Sequence, residues 1–328
     1  MKVGKSIVFL FSGQGSQYYQ MGKELYRDQP VFRHWIQKLD QYYYQISGKS
    51  VTRELYENNY PISRPFDSLP FTHPAIFMIE YALAQVFMEY QIFPDYVLGT
   101  SLGEFASCTV AGSMDYNAAL EHVIAQAEII QNHCEPGGMI AILDQVSLYR
   151  SEPILYQNCE IASVNFDTHF VISGGVLALS EVESYLRDRN IMAQRLPIRH
   201  GFHSKWIDPA GPYYKRHVSS LALKSPHTTV ISSFSGQRVA AFEPEYLWNM
   251  VREPIRFRDA LKSLMPLEDK IFVDLGPGGT LATFIKHNHQ MFGSHEARNI
   301  HTVLSPFHKD IHRLEQVISK IKMQRVTT

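Results

Sequence analysis

The 328-residue chain is 45% hydrophobic and 19% charged, with a formal net charge of −1, which fits a globular protein with a sizeable core and gives no electrostatic basis for nucleic-acid binding. Its three cysteines, Cys108, Cys134 and Cys159, have neither metal-ligand spacing nor an even count and read as reduced thiols. Met1 to Phe11 lacks the long apolar core of a signal peptide and no later run is long enough to span a bilayer, so a soluble, cytoplasmic protein without membrane contact is expected.

In chain order, Ser6 to Phe11 is a run of strand formers that ends in the two-glycine turn Ser12-Gly13-Gln14-Gly15-Ser16-Gln17. Met21 to Tyr44 carries apolar residues at helical spacing. Asn58 to Phe71, rich in Pro and Asn, predicts a surface connection, and Pro74 predicts the first position of an apolar helix ending near Pro94. Tyr96 to Leu98 then predicts a buried strand, Leu102 to Ala111 a helix, and Asp115 the cap of a helix through His133. Beyond Pro136-Gly137-Gly138 the pattern is strand (Met139 to Leu143), helix (Ser147 to Gln157), strands (Glu160 to Val164 and Phe170 to Ser173), helix (Leu179 to Arg187) and strand (Ile191 to Ile198). That order is βαββαβ, the ferredoxin-like arrangement. From Trp206 the α/β rhythm returns, with a helix through Leu223, a strand at Thr229 to Phe234 and helices around Tyr246 and Ala260. A strand at Ile271 to Leu275, a glycine turn, a helix from Thr280, a strand near Thr302 and a helix from Lys309 close the chain. The predicted fold class is α/β: a hydrolase-like large domain with a parallel-sheet core (1–135 and 204–328) and an inserted ferredoxin-like small domain (136–203), with a cleft between them.

The strongest chemical signature is Gly99-Thr100-Ser101-Leu102-Gly103, a Gly-x-Ser-x-Gly elbow that lifts a serine hydroxyl at a sharp strand-to-helix turn. Alone it reads equally well as a tight turn with an incidental serine. Two further motifs accompany it in order: Gly13-Gln14-Gly15-Ser16-Gln17 after the first strand, and Gly201-Phe202-His203-Ser204 after the ferredoxin-like segment. Together with Asp274-Leu275-Gly276-Pro277-Gly278 and Asn165-Phe166, they make the chain resemble the malonyl-CoA:acyl carrier protein transacylases and polyketide synthase acyltransferase domains over nearly its whole length.

That resemblance implies an acyl-enzyme at Ser101, with His203 as general base and then acid. It implies an oxyanion hole from the backbone N–H groups of Gln14 and Leu102, and a backbone carbonyl within Glu253 to Phe257 orienting the histidine. Asp208 and Asp274 are then a helix-start and a strand-end residue, not catalytic carboxylates. Thr100, Gln126, Asn165 and Phe202 are the implied acyl-pocket residues. Members that select malonyl groups use an arginine that pairs with the free carboxylate, and the matching position holds Gln126. No arginine or lysine occurs between Met114 and His133. Thr100 stands where the family usually has histidine, a smaller residue beside the nucleophile. The resemblance also implies that free-standing members of polyketide pathways lacking this arginine are acyl hydrolases, so the expected function is hydrolysis of non-malonyl acyl groups from acyl carrier proteins of a polyketide synthase. Transfer of malonyl or another acyl group from CoA is the alternative, and a non-catalytic docking partner of a megasynthase is the second. No metal and no cofactor are expected; the substrate arrives on phosphopantetheine, and the protein is expected to be a monomer.

Overall fold

The computed structural model describes residues 5–219, 221, 223–242, 245–265, 269–291 and 299–326. Strand β1 (Ser6–Phe11) is followed by α1 (Lys23–Asp28) and α2 (Pro30–Ser47). The single helix expected over this stretch breaks because Pro30 opens a new one, capped by the Gln29 side chain accepting from Phe32 N at 2.7 Å. A π-helical turn, Arg53–Glu57, leads to α3 (Leu69–Glu89). Pro74 lies inside α3 rather than at its start. The bond its missing N–H leaves open at the Pro70 carbonyl is supplied by the Tyr43 hydroxyl, which donates to it at 2.6 Å.

Next come β2 (Tyr96–Gly99), α4 (Gly103–Val110) and α5 (Tyr116–His133). Asp115 occupies the N-cap of α5 but its side chain makes no cap bond. The following segment runs β3 (Gly137–Ile142), α6 (Ser147–Ser151), α7 (Pro153–Asn158), β4 (Glu160–Phe166), β5 (His169–Gly175), α8 (Val176–Asp188) and β6 (Ala193–Arg195). Pro153 splits the expected first helix, and β6 is an edge strand much shorter than Ile191 to Ile198.

A 3₁₀ turn, Lys205–Ala210, then precedes α9 (Gly211–Val218), which ends short of Leu223. The rest is β7 (Thr229–Ser232), β8 (Arg238–Val239), α10 (Tyr246–Arg252), α11 (Phe257–Leu264), β9 (Lys270–Asp274), α12 (Thr280–His287), β10 (Ile300–Thr302) and α13 (Asp310–Val326). The last helix starts one residue later than expected because Lys309 sits in the left-handed region at φ 71°.

The first sheet has six strands in the order β10-β9-β1-β2-β7-β8, all parallel neighbours except β8 on β7. It is buried on both faces, as parallel sheets are. Ile7, Phe9 and Phe11 of β1 point into one core with α2, α3 and α5, while Val8 and Leu10 join Phe257, Leu261 and Ile285 on the other side. The second sheet is antiparallel in the order β4-β5-β3-β6, the ferredoxin-like order, and has its own core around Ile140, Phe170, Ile172 and Leu179. Ile255 N donates to the Ala162 carbonyl at 2.8 Å, stitching β4 to the chain entering α11. Among the described residues no helix is long and apolar enough to cross a membrane.

Candidate active site

β2 ends at Gly99, α4 starts at Gly103, and Ser101 between them holds φ 52°. A non-glycine residue there is strained, which is how a nucleophile elbow presents its hydroxyl. The flanking glycines have no substitute: a Cβ on Gly103 would lie 2.2 Å from the Phe11 carbonyl oxygen, and one on Gly99 would lie 2.5 Å from Glu104 Cα. Glu104, fully buried, clamps the start of α4. Its Oε1 accepts from Ser233 Oγ at 2.9 Å and from Ser232 Oγ and Phe234 N at 3.1 Å each, and its Oε2 accepts from the Tyr246 hydroxyl.

His203 also has a positive φ, 59°, and its own N–H donates to the Val251 carbonyl at 3.0 Å. Its Nδ1 lies 2.8 Å from the Glu253 carbonyl and its Nε2 lies 2.8 Å from Ser101 Oγ. A carbonyl only accepts, so the Nδ1 proton points at Glu253 and Nε2 is bare to take the serine proton. Burial pushes the His203 pKa down to about 4, against the opposing pull of the Glu253 carbonyl, so the ring is neutral at pH 7. Neither aspartate enters this array. Asp208 pairs with Arg252 at the surface, and Asp274, at the end of β9, accepts from Gly276 N at 2.9 Å and Ala282 N at 2.8 Å.

The turn after β1 crosses directly over the elbow. A Cβ on Gly13 would stand 2.8 Å from the Thr100 carbonyl oxygen, 2.9 Å from Ser101 Cβ and 3.6 Å from Leu102 N. This sets Gly13, the residue before Gln14, against the Thr100 to Leu102 backbone, while the Gln14 side chain reaches Thr72 Oγ1 at 3.1 Å.

A cavity of about 250 Å³ opens at this point, with Thr100, Ser101, Asn165, Phe202 and His203 on its wall. The exposed surface of the remaining lining is mainly apolar, contributed by the antiparallel sheet, the segment after β6, Ile255 and α12, and includes Met139, Val171, Leu196 and Phe284. No lysine or arginine is among the described residues that line it. Gln126 does not reach the wall: it is buried, with Nε2 donating to the Tyr214 hydroxyl at 3.2 Å. It lies in the layer behind Phe202, beside His73, whose ring is 5.7 Å from that of Phe202. Burial drives the His73 pKa down to about 3, so that layer carries no charge there.

His169 and Gln194 also line the cavity and went unrecognised in the sequence. The alternation of β4 was the usable signal for this wall, since it sets Ser163 and Asn165 on one face. Ser163 Oγ donates to Asn165 Oδ1, which leaves Nδ2 to donate to His169 Nδ1 at 3.0 Å. Among the described residues no group of three or more His, Cys, Asp or Glu is placed to hold a metal ion.

Known proteins resemble the chain over nearly its whole length. The family described as the acyl transferase domain matches residues 8–327. The chain is 41% identical over 315 residues to the polyketide biosynthesis acyltransferase homolog PksD of Bacillus subtilis, covering 96% of each chain. It is 42% identical over 319 residues to the homolog BaeD of Bacillus velezensis, covering 97% of this chain and 98% of that one. Among solved structures, the acyltransferase domain from the second module of the salinomycin polyketide synthase matches with a TM-score of 0.81 and 27% identity, over 96% of this chain and 72% of that one. The MCAT of Streptococcus pneumoniae shares the fold, with a TM-score of 0.76 at 22% identity over 96% of this chain and 100% of that one. The chain belongs to the acyl transferase domain family.

Proposed function

We propose that this protein forms an acyl ester on Ser101 and hydrolyses non-malonyl acyl groups from the acyl carrier proteins of a polyketide synthase, acting as a monomer in the cytoplasm. Ser101 Oγ attacks the thioester carbonyl as His203 Nε2 takes its proton, and the Gln14 and Leu102 N–H groups receive the oxyanion. His203 then returns the proton to the departing pantetheine thiol. Water, deprotonated by the same imidazole, attacks the ester carbonyl, and the acid leaves as the imidazolium returns that proton to Ser101 Oγ. The observation that carries the substrate preference is that no lysine or arginine is among the described residues of the cavity wall. A malonyl carboxylate would be desolvated there without a cation, a penalty of several kcal/mol by general experience with buried ions. An acetyl or butyryl chain meets a mainly apolar wall instead. The names of the PksD and BaeD relatives support the polyketide setting.

The test supplies acetyl-, butyryl- and malonyl-loaded carrier proteins with a second, unloaded carrier protein as acceptor, then quantifies free acid against transferred acyl group. Free acetate and butyrate should dominate and vanish in Ser101→Ala. Malonyl transfer from CoA as the fastest reaction would overturn the proposal in favour of a transferase. Failure of wild type to react with a serine-directed fluorophosphonate would instead indicate a non-catalytic docking partner.

A further inference from the structure

Ser12 and Ser16, in the turn that carries Gln14 and on the cavity lining, connect with Glu80 behind it into a buried polar chain that the acyl-serine chemistry does not use. Glu80 sits in the apolar middle of α3 with no exposure. Its Oε1 is 2.6 Å from Ser12 N and 3.1 Å from Ser12 Oγ, whereas its Oε2 has no hydrogen-bond partner among the described residues. Ser12 Oγ is 2.9 Å from Ser16 Oγ, which is 2.8 Å from the Gly13 carbonyl oxygen. Gly276 leaves the space this needs, since a Cβ there would lie 2.1 Å from Ser12 Oγ.

Counting protons fixes the direction of the chain. Each hydroxyl has one hydrogen and a carbonyl has none. Ser16 Oγ–H therefore donates to the Gly13 carbonyl, and Ser12 Oγ–H donates to Ser16 Oγ. Ser12 Oγ then has no hydrogen left for Glu80 Oε1, 3.1 Å away, so that contact is a hydrogen bond only if Glu80 supplies the hydrogen. A carboxylic acid can supply it and a carboxylate cannot. With Glu80 ionised, Ser12 would turn its hydrogen to the carboxylate, and Ser16 would either face a bare oxygen or release Gly13. Burial also favours the acid, pushing the Glu80 pKa well above its ordinary value against the bond from Ser12 N, with the Asp274 charge pushing the same way as burial.

The Gly13 carbonyl and the Gln14 N–H belong to one planar trans peptide and point in opposite directions. We propose that neutral Glu80 is a positioning residue: through Ser12 and Ser16 it holds the Gly13–Gln14 peptide at the angle that aims the Gln14 N–H at the oxyanion. This rests on the acyl-serine reading of Ser101 and Gln14.

The test uses the full chain and a fluorophosphonate, whose phosphoryl oxygen enters the oxyanion hole, so that the inactivation rate and the binding constant separate chemistry from affinity. Ser16→Ala should lower the maximal inactivation rate about tenfold with binding changed less than about twofold, a fraction of the loss from removing an oxyanion donor outright. Ser16→Thr, which keeps the hydroxyl, should recover most of the rate at an unchanged thermal midpoint. In Glu80→Gln the amide either offers oxygen and donates nothing to Ser12 Oγ, or offers nitrogen against the Ser12 N–H, and the rate should fall as in Ser16→Ala. The double variant should fall no further than either single one, because both break one chain. A wild-type rate in Ser16→Ala, or losses that multiply in the double variant, would overturn this inference alone. Labelling that survives in Ser101→Ala would overturn the acyl-serine reading itself.

Discussion

The neutral imidazole of His203 makes a specific demand on pH. Its basic form is the neutral one and its pKa is pushed down to about 4, so acylation should stay on a plateau from pH 7 to about pH 5 and fall by half near pH 4. Pre-steady-state acylation rates check this; a fall centred near the ordinary histidine value of about 6.5 would contradict the buried geometry. Stability is a poorer readout. Between about 4 and 6.5 the unfolded chain binds the His203 proton more readily, so this group's contribution to stability falls as pH drops. Asp274 and Asp310, raised by burial to about 6, act in the opposite sense in an overlapping window, because their folded forms hold protons that the unfolded chain would release. At Gln126, arginine would be buried against Tyr214 with no anion until a malonyl group arrives. Gln126→Arg should lower the thermal midpoint, by general experience about 3 kcal/mol of stability, and raise the malonyl share of the acyl-enzyme. An unchanged malonyl share, read by mass, would contradict the account of the pocket. The juxtaposed pair Ser101 and His203 was legible in sequence because each residue sits inside a short motif with a fixed local turn. Glu80 was not, because its burial and its partner Ser12, 68 positions away, exist only in the fold.

At the scale of elements, the elbow works because β1, the turn after it, β2 and α4 approach closer than side chains allow. Gly103→Ala would drive a methyl to 2.2 Å from the Phe11 carbonyl oxygen, so the helix must move and take Ser101 with it. The expected outcome is folded yield or labelling at Ser101 reduced at least tenfold on the order of magnitude seen when a catalytic group is displaced, measured against Ala106→Gly as a control within the same helix. Retention of wild-type labelling in Gly103→Ala would show that the close approach is dispensable. Glu104→Ala should cost about 3 kcal/mol by calorimetry, since it strips a buried carboxyl from four donors and removes the acceptor facing the hydroxyls of Ser232, Ser233 and Tyr246. Apolar periodicity located these elements, but their ends followed chemistry that lies elsewhere in the chain. Pro74 could enter α3 because Tyr43 reaches the vacant carbonyl, and no local rule reveals a partner from another helix.

In the whole molecule, the sheet that holds Ser101 and the antiparallel sheet that supplies Asn165 and His169 close on one cavity. We keep the division into 1–135 with 204–328 and an inserted 136–203 as our proposal; it places one cavity wall on each unit. The α/β class and the βαββαβ order were readable because strand and helix periods alternate cleanly and glycines mark the turns. That no lysine or arginine is among the described residues of the wall was only half readable: the sequence flagged Gln126, whereas the fold sets that residue in the layer behind the wall. The claim that joins all three scales is that a non-malonyl acyl group passes through Ser101 to water. Its most direct measurement is the intact mass of the protein over time after mixing with an equimolar pool of acetyl-, butyryl- and malonyl-loaded carrier proteins. The account predicts an acetyl or butyryl ester on Ser101 that decays to free acid without appearing on another thiol. A persistent malonyl ester that moves to an unloaded carrier protein would contradict it.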